Sequence, residues 1–223
     1  MMSSDAMEPR IVVLASGSGS NLQALIENTQ SVGFPGRIVA VGCNRPGAFA
    51  LERAEQAGIE TFLVDHQHYS SREDFDRQLR QTIDRYSPDL VVLAGFMRIL
   101  TQEFVRAFHG RMLNIHPSLL PKYRGLNTHQ RALDDGEPLH GVTVHFVTEE
   151  LDGGPLIAQA EVSVDPQDTA ASLAEKVQTK EHLLYPIVVR WFCEGRLKLV
   201  GNEVRFDDLP LRQVLRLPVD LNS

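Results

Sequence analysis

Apolar runs too short to be helices recur through the first half of the chain, and each is followed by a segment whose apolar residues return at helix spacing. Residues 11–15, 38–41, 61–64 and 90–94 are the runs. Between them lie Leu22, Leu25 and Ile26, then Ala50, Leu51, Ala54 and Ala57 ending at Gly58, then Phe75, Leu79 and Ile83 closed by Ser87-Pro88. Continuous apolar β-formers mark strands buried on both faces, which are strands of a parallel sheet. Strand–helix alternation implies right-handed crossovers, so the expected fold is α/β: a mostly parallel, twisted central sheet with helices on both faces.

The second half changes character. Residues 112–115 read as a short strand, and 116–130 as a long structured loop rich in Pro, Gly and polar side chains, the kind of loop that often carries function. Residues 142–147 alternate, with Val142, Val144 and Phe146 on one face, and 156–164 form a further strand. A long amphipathic helix from about Asp168 carries Leu173, Val177, Leu184 and Trp191, with Pro186 expected to kink it. Residues 197–206 suggest a hairpin around Gly201-Asn202, followed by a poorly ordered tail. With 223 residues, 1–223 is expected to be a single domain, its core at about 10–200 and a C-terminal hairpin and tail at 201–223.

The site begins at Gly17-Ser18-Gly19-Ser20-Asn21, directly between the first strand and the first helix. Glycines let a backbone approach an anion closely, and a helix N-terminus offers free N–H groups with partial positive charge. A dinucleotide site would need Gly or Ala where Leu22 stands, and an acid where Cys43 and Asn44 stand. The loop therefore suits a monophosphate, the alternative being a tight turn with an Asn cap. Further on, Asn114 and His116 share one face of a strand end, where two donors can flank a developing oxyanion. Asp152, before Gly153-Gly154-Pro155, is the candidate carboxylate to hold the imidazole, although Asp also simply initiates turns.

Other chemistries find less support. The eight histidines form no H-x-x-x-H or H-E-x-x-H pattern, and Asp65, His66 and His68 are a weak constellation, so no metal is expected. The loop lacks the G-x-S-x-G order of a serine nucleophile. A net charge of -7 does not suit a nucleic-acid binder. Two unpaired cysteines, Cys43 and Cys193, suggest a reducing compartment. The polar first ten residues lack a secretory h-region and no apolar run is long enough to span a bilayer, so a cytoplasmic location and no membrane partner are expected.

These residues resemble the glycinamide ribonucleotide formyltransferase family from Arg10 to about Lys198. The resemblance rests on the loop from Gly17 to Gln23, on Ala94-Gly95-Phe96-Met97-Arg98-Ile99-Leu100, on Asn114-Ile115-His116-Pro117-Ser118-Leu119-Leu120-Pro121, and on Glu150-Leu151-Asp152-Gly153-Gly154-Pro155. It implies a Rossmann-like formyltransferase fold, 10-formyltetrahydrofolate as co-substrate, glycinamide ribonucleotide as acceptor, and no metal. It makes Asn114, His116 and Asp152 catalytic. Gly19, Ser20, Asn21, Leu22, Gln23, Gln178 and Glu181 would hold the ribonucleotide. Arg72, Met97, Arg98, Ile99, Leu100, Asn114, Thr148, Glu149, Glu150, Leu151 and Asp152 would line the folate site. Arg124 stands where relatives often carry Pro, and Asn127 where His is common. The triad is shared with methionyl-tRNA formyltransferase, which adds an RNA-binding domain, and with formyltetrahydrofolate hydrolase, which usually adds an N-terminal regulatory domain. A non-enzymatic nucleotide-binding module would explain the loop but not the triad. The small-molecule transferase is the expected function, as a monomer or homodimer.

Overall fold

A computed structural model describes residues 8–217. The polar leader and the final stretch of the expected tail, 1–7 and 218–223, lie outside the described residues. The first half runs β1 (Arg10–Ala15), α1 (Ser20–Thr29), β2 (Arg37–Cys43), α2 (Phe49–Gln56), β3 (Glu60–Leu63), a 3-10 turn at His66–His68, α3 (Arg72–Asp84) and β4 (Leu90–Leu93). There follow α4 (Gln102–Ala107), β5 (Met112–His116), α5 (Thr128–Asp134), β6 (Leu139–Phe146), β7 (Leu156–Ser163), α6 (Ala170–Cys193), β8 (Leu197–Val200), β9 (Glu203–Phe206), β10 (Leu209–Pro210) and β11 (Leu215–Arg216).

The main sheet has eight strands in the order β11-β7-β6-β5-β4-β1-β2-β3. Strands β3 through β5 are mutually parallel, β6 is antiparallel to both β5 and β7, and β11 lies parallel to β7. Successive residues of β1 feed opposite faces, as the pleat requires. Ile11, Val13 and Ala15 join Leu22, Leu25, Ala50, Leu173 and Leu184. Val12 and Leu14 join Phe75, Leu79, Ile83 and Phe104 on the other side. Helices α1, α2 and α6 thus cover one face and α3 and α4 the other, as expected for an α/β fold. Chain order reverses between β1 and β4, and in such sheets the crevice beyond the carboxyl ends at that switch point is the usual binding place.

Several helix starts have local causes. Ser71 Oγ accepts from Asp74 N at 3.1 Å, and Thr101 Oγ1 from Phe104 N at 3.3 Å. Thr169 and Ser172 form a reciprocal capping box, so α6 starts at Ala170 rather than Asp168. Helix α6 continues through Pro186, with Leu184, Tyr185, Val188 and Val189 buried around it. Two expectations need correction. The long loop ends earlier than 130, because α5 begins at Thr128. The C-terminal segment is not all tail: 209–210 extend the β8–β9 hairpin sheet, and 215–216 add an edge strand to the main sheet. The short helix α4 was not anticipated, its apolar content being only Phe104, Val105 and Ala107 within QEFVRA.

Candidate active site

Three strand ends are stitched together by one serine. Ser16, directly after β1, donates from Oγ to Asn44 Oδ1 at 2.5 Å and accepts from Met97 N at 2.7 Å, and its own N–H reaches Gly95 O at 3.2 Å. Asn44, where a dinucleotide site would place an acid, is fully buried in this role. The Gly-rich loop is built for close approach. Gly19 has φ +71°, and a Cβ there would sit 2.8 Å from Ala50 Cβ, so only glycine lets α2 pack against the turn. Arg53, one turn along α2, donates from Nε to Ser18 O at 2.8 Å and from Nη1 to Gln23 Oε1 at 3.1 Å. Its guanidinium brings positive charge to a loop that has no basic residue from Gly17 to Gln23.

Gly19 itself is the N-cap of α1, in the left-handed conformation and with no side-chain cap. The Asn-capped turn considered from sequence is therefore not what forms. Asn21 lies inside the helix and donates from Nδ2 to Glu181 Oε2 at 2.7 Å, while its Oδ1 is buried without a partner. Burial raises the Glu181 carboxyl above its usual range, and the Asn21 bond partly offsets that. Gln178 reaches Ser20 Oγ at 3.1 Å. The loop residues and the two α6 residues, far apart in sequence, thus meet.

At the end of β5, His116 Nδ1 lies 3.5 Å from Asp152 Oδ2, with both side chains almost fully buried. His116 Nε2 is 2.8 Å from Tyr123 O. One ring nitrogen faces a carboxylate and the other a carbonyl, and only the doubly protonated ring satisfies both acceptors. Asp152 has φ +48°, and its carboxylate also accepts from Gly125 N at 2.9 Å. Its role exceeds turn initiation: it ties the 148–155 loop to the 117–127 loop. Asn114, two residues before His116 and on the same strand face, donates from Nδ2 to His145 Nε2 at 3.1 Å.

The other anticipated residues divide. Met97 and Ile99 are more than half exposed on the loop after β4, beside Arg98, which stacks over Phe75 at 5.5 Å. Arg72, the first residue of α3, and Arg98 both lie near the buried Asp76, which accepts from Thr101 N at 2.5 Å, next to Leu100. After β6, Thr148 and Glu149 line a cleft of about 530 Å³ with Arg106, His109 and Asn202, and Glu149 is engaged by Arg106 at 2.5 and 3.1 Å. Glu150 pairs with Arg124, and Leu151 is exposed. Glu149 and Glu150 are thus tied by protein arginines rather than aimed at Asn114 and His116. The Arg124 departure becomes intelligible as a strap between the two loops. Asn127 has φ +57°, a conformation Asn adopts more readily than most residues. Sequence reasoning missed His145, Arg53 and the carbonyl of Tyr123. His145 alone carried a signal, alternating with Thr143 on a strand. Among the described residues no group of three or more His, Cys, Asp and Glu is arranged to hold a metal.

The sequence matches the formyl transferase family over residues 9–189. It is 54% identical over 197 residues to phosphoribosylglycinamide formyltransferase of Escherichia coli strain K12, covering 88% of this chain and 93% of that protein. The fold superposes on the phosphoribosylglycinamide formyltransferase structure from Coxiella burnetii with a TM-score of 0.90 at 52% identity, covering 94% and 99% of the two chains. Glycinamide ribonucleotide transformylase 1 of Symbiobacterium toebii gives a TM-score of 0.88 at 43% identity, covering 92% and 97%. The strand-end polar pair, the Gly-rich loop and these likenesses together place the chain in the formyl transferase family, in the branch whose members are named phosphoribosylglycinamide formyltransferase.

Proposed function

We propose that the protein transfers the formyl group of 10-formyltetrahydrofolate to the amine of glycinamide ribonucleotide, a step of purine synthesis, as a cytoplasmic enzyme acting as a monomer or homodimer and needing no metal. The observation that carries the reading is the buried His116–Asp152 pair at 3.5 Å, with Asn114 on the same strand face and the Gly-rich loop two strands away, at the same end of the sheet after β1.

Attack of the amine on the formyl carbon makes a tetrahedral oxyanion. Asn114 donates one amide N–H to it, and doubly protonated His116 donates a second. His116 Nε2 gives up Tyr123 O to do so, exchanging a neutral acceptor for a charged one, which makes the stronger bond. Asp152 keeps the opposite nitrogen oriented and stabilises the imidazolium while a proton passes from the amine to the leaving folate nitrogen. The turn at Gly19 and Ser20, with Arg53 behind it, receives the phosphate. Asn21 and Glu181, paired at 2.7 Å and with one buried amide oxygen unpartnered, supply donor and acceptor for ribose hydroxyls. Exposed Met97 and Ile99 offer apolar surface to a flat pterin. No helix among the described residues is long and apolar enough to cross a membrane.

The test offers 10-formyltetrahydrofolate with glycinamide ribonucleotide, with methionyl-tRNA, or with water alone. Folate release that depends on the ribonucleotide is expected. Release in water alone would replace this reading with a hydrolase, and release with the tRNA would replace it with an RNA formylase.

A further inference from the structure

Asn114 and His145 face each other directly across the antiparallel β5–β6 pair. His145 is 2% exposed, and its Nδ1 lies 2.9 Å from Phe146 O. A carbonyl can only accept, so Nδ1 carries the hydrogen. Burial disfavours the charged ring, which leaves Nε2 as a bare lone pair. That lone pair sits 3.1 Å from the Asn114 side chain. Only the NH2 end of an amide can satisfy it, so the polarity of the Asn114 amide is decided by its neighbour. No other polar atom of the Asn114 side chain has a protein partner among the described residues. The Phe146 carbonyl is itself wedged: a Cβ on Gly154 would overlap Phe146 O, and Phe146 N donates to Pro155 O at 3.0 Å.

We propose that His145 is a positioning residue that fixes the polarity of the Asn114 amide, so that Asn114 always meets the reacting oxygen with an N–H and never with Oδ1. The proposal rests on the formyl-transfer reading above. An unheld amide can flip by 180°, and the flipped form would set a carbonyl dipole against the developing negative charge. The chain of contacts is Gly154 to the Phe146 carbonyl, that carbonyl to Nδ1–H, and Nε2 to Asn114. The same Asp152-Gly153-Gly154-Pro155 turn therefore supplies the carboxylate for His116 and the wedge that orients Asn114.

Two measurements test this. In the wild-type protein, nitrogen-15 NMR of the imidazoles at pH 7 is expected to show His145 as the neutral Nδ1–H tautomer, and Asn114→Ala is expected to shift its Nε2 resonance. Kinetically, His145→Phe is expected to lower kcat about 100-fold, within the range for losing one oxyanion donor, while both KM values stay within about threefold. His145→Gln, which can return an acceptor near the Nε2 position, is expected to restore at least about tenfold of that loss. Adding Asn114→Ala to His145→Phe is expected to cost less than about threefold more, because residues acting as one unit are not additive. An Nε2–H tautomer, an Nε2 resonance unmoved by Asn114→Ala, an unchanged kcat in His145→Phe, or fully additive losses would overturn the proposal. If His145→Phe does not fold, the wild-type resonances and the Gln variant still decide it. If the wild type transfers no formyl group to the ribonucleotide, the reading of function fails, and the NMR result still decides the orientation of Asn114.

Discussion

Asp152 holds two things at once, the imidazole of His116 and the backbone N–H of Gly125. Asp152→Asn keeps an oxygen for Gly125 but removes the negative charge beside the ring. It is therefore expected to fold normally, with kcat lowered about 100-fold or more, the scale on which transition-state charge stabilisation is usually lost. Unchanged turnover in a pre-steady-state assay would remove the carboxylate from the mechanism. Glu181 provides a contrast. Glu181→Gln leaves a side chain able to meet Asn21 but loses the carboxylate, and is expected to raise the KM for the ribonucleotide with the folate KM unchanged. At this scale the sequence was informative where a residue's chemistry is unusual on a strand end, as with Asn114 and His116. It was silent where the partner is backbone, because no side-chain pattern announces that Tyr123 O will face Nε2. His145 lay between these cases: its place on a strand was readable, but its pairing with Asn114 needed the register.

The elements explain why distant residues meet. Helix α6 places Gln178 and Glu181 beside the Gly-rich loop, and one turn later sends Tyr185 into the core. There the Tyr185 hydroxyl donates to Leu93 O at 2.9 Å and Leu113 O at 3.0 Å, bracing β4 against β5 just before both strands deliver site residues. Tyr185→Phe leaves those carbonyls without that donor and is expected to cost about 1–3 kcal/mol in chemical denaturation. Gly19→Ala is expected to strain the left-handed cap and push α2 away. That should lower stability by about 1 kcal/mol or more and weaken ribonucleotide binding, read together by thermal melting and titration. Most of the parallel half was legible because strands buried on both faces spell themselves as unbroken apolar runs, the edge strand β3 being only partly buried. Helix α4 escaped because six residues give less than two turns of periodicity, and β11 because two residues are too few to show a period.

Taken whole, the molecule sets several wholly or partly buried histidines near its site. Burial depresses His140 to about 4, and His129 and His145 are also lowered, chiefly by the same desolvation. A histidine whose folded pKa lies below its unfolded value binds fewer protons when folded, so stability falls as pH drops through that interval. For His140 the window runs from about 6.5 down to about 4. His140→Gln is expected to flatten the acid limb of stability against pH over that interval relative to wild type, and equal slopes would refute it. The architecture has one more consequence, which follows from the direction of β6. Phe146, at the end of that strand, stands opposite Leu113, so the connection to Asp152 must travel back along β5 to reach His116. That return spans about 10 Å, and six residues extend to about 20 Å at most. The segment after Phe146 therefore has about twice the reach it needs, so its tip is placed by the ties along it, the Gly125 N–H on Asp152 and Arg124 on Glu150, and not by its length. A one-residue insertion in this stretch, scored for turnover in the folded protein, should therefore cost less than the loss of either tie.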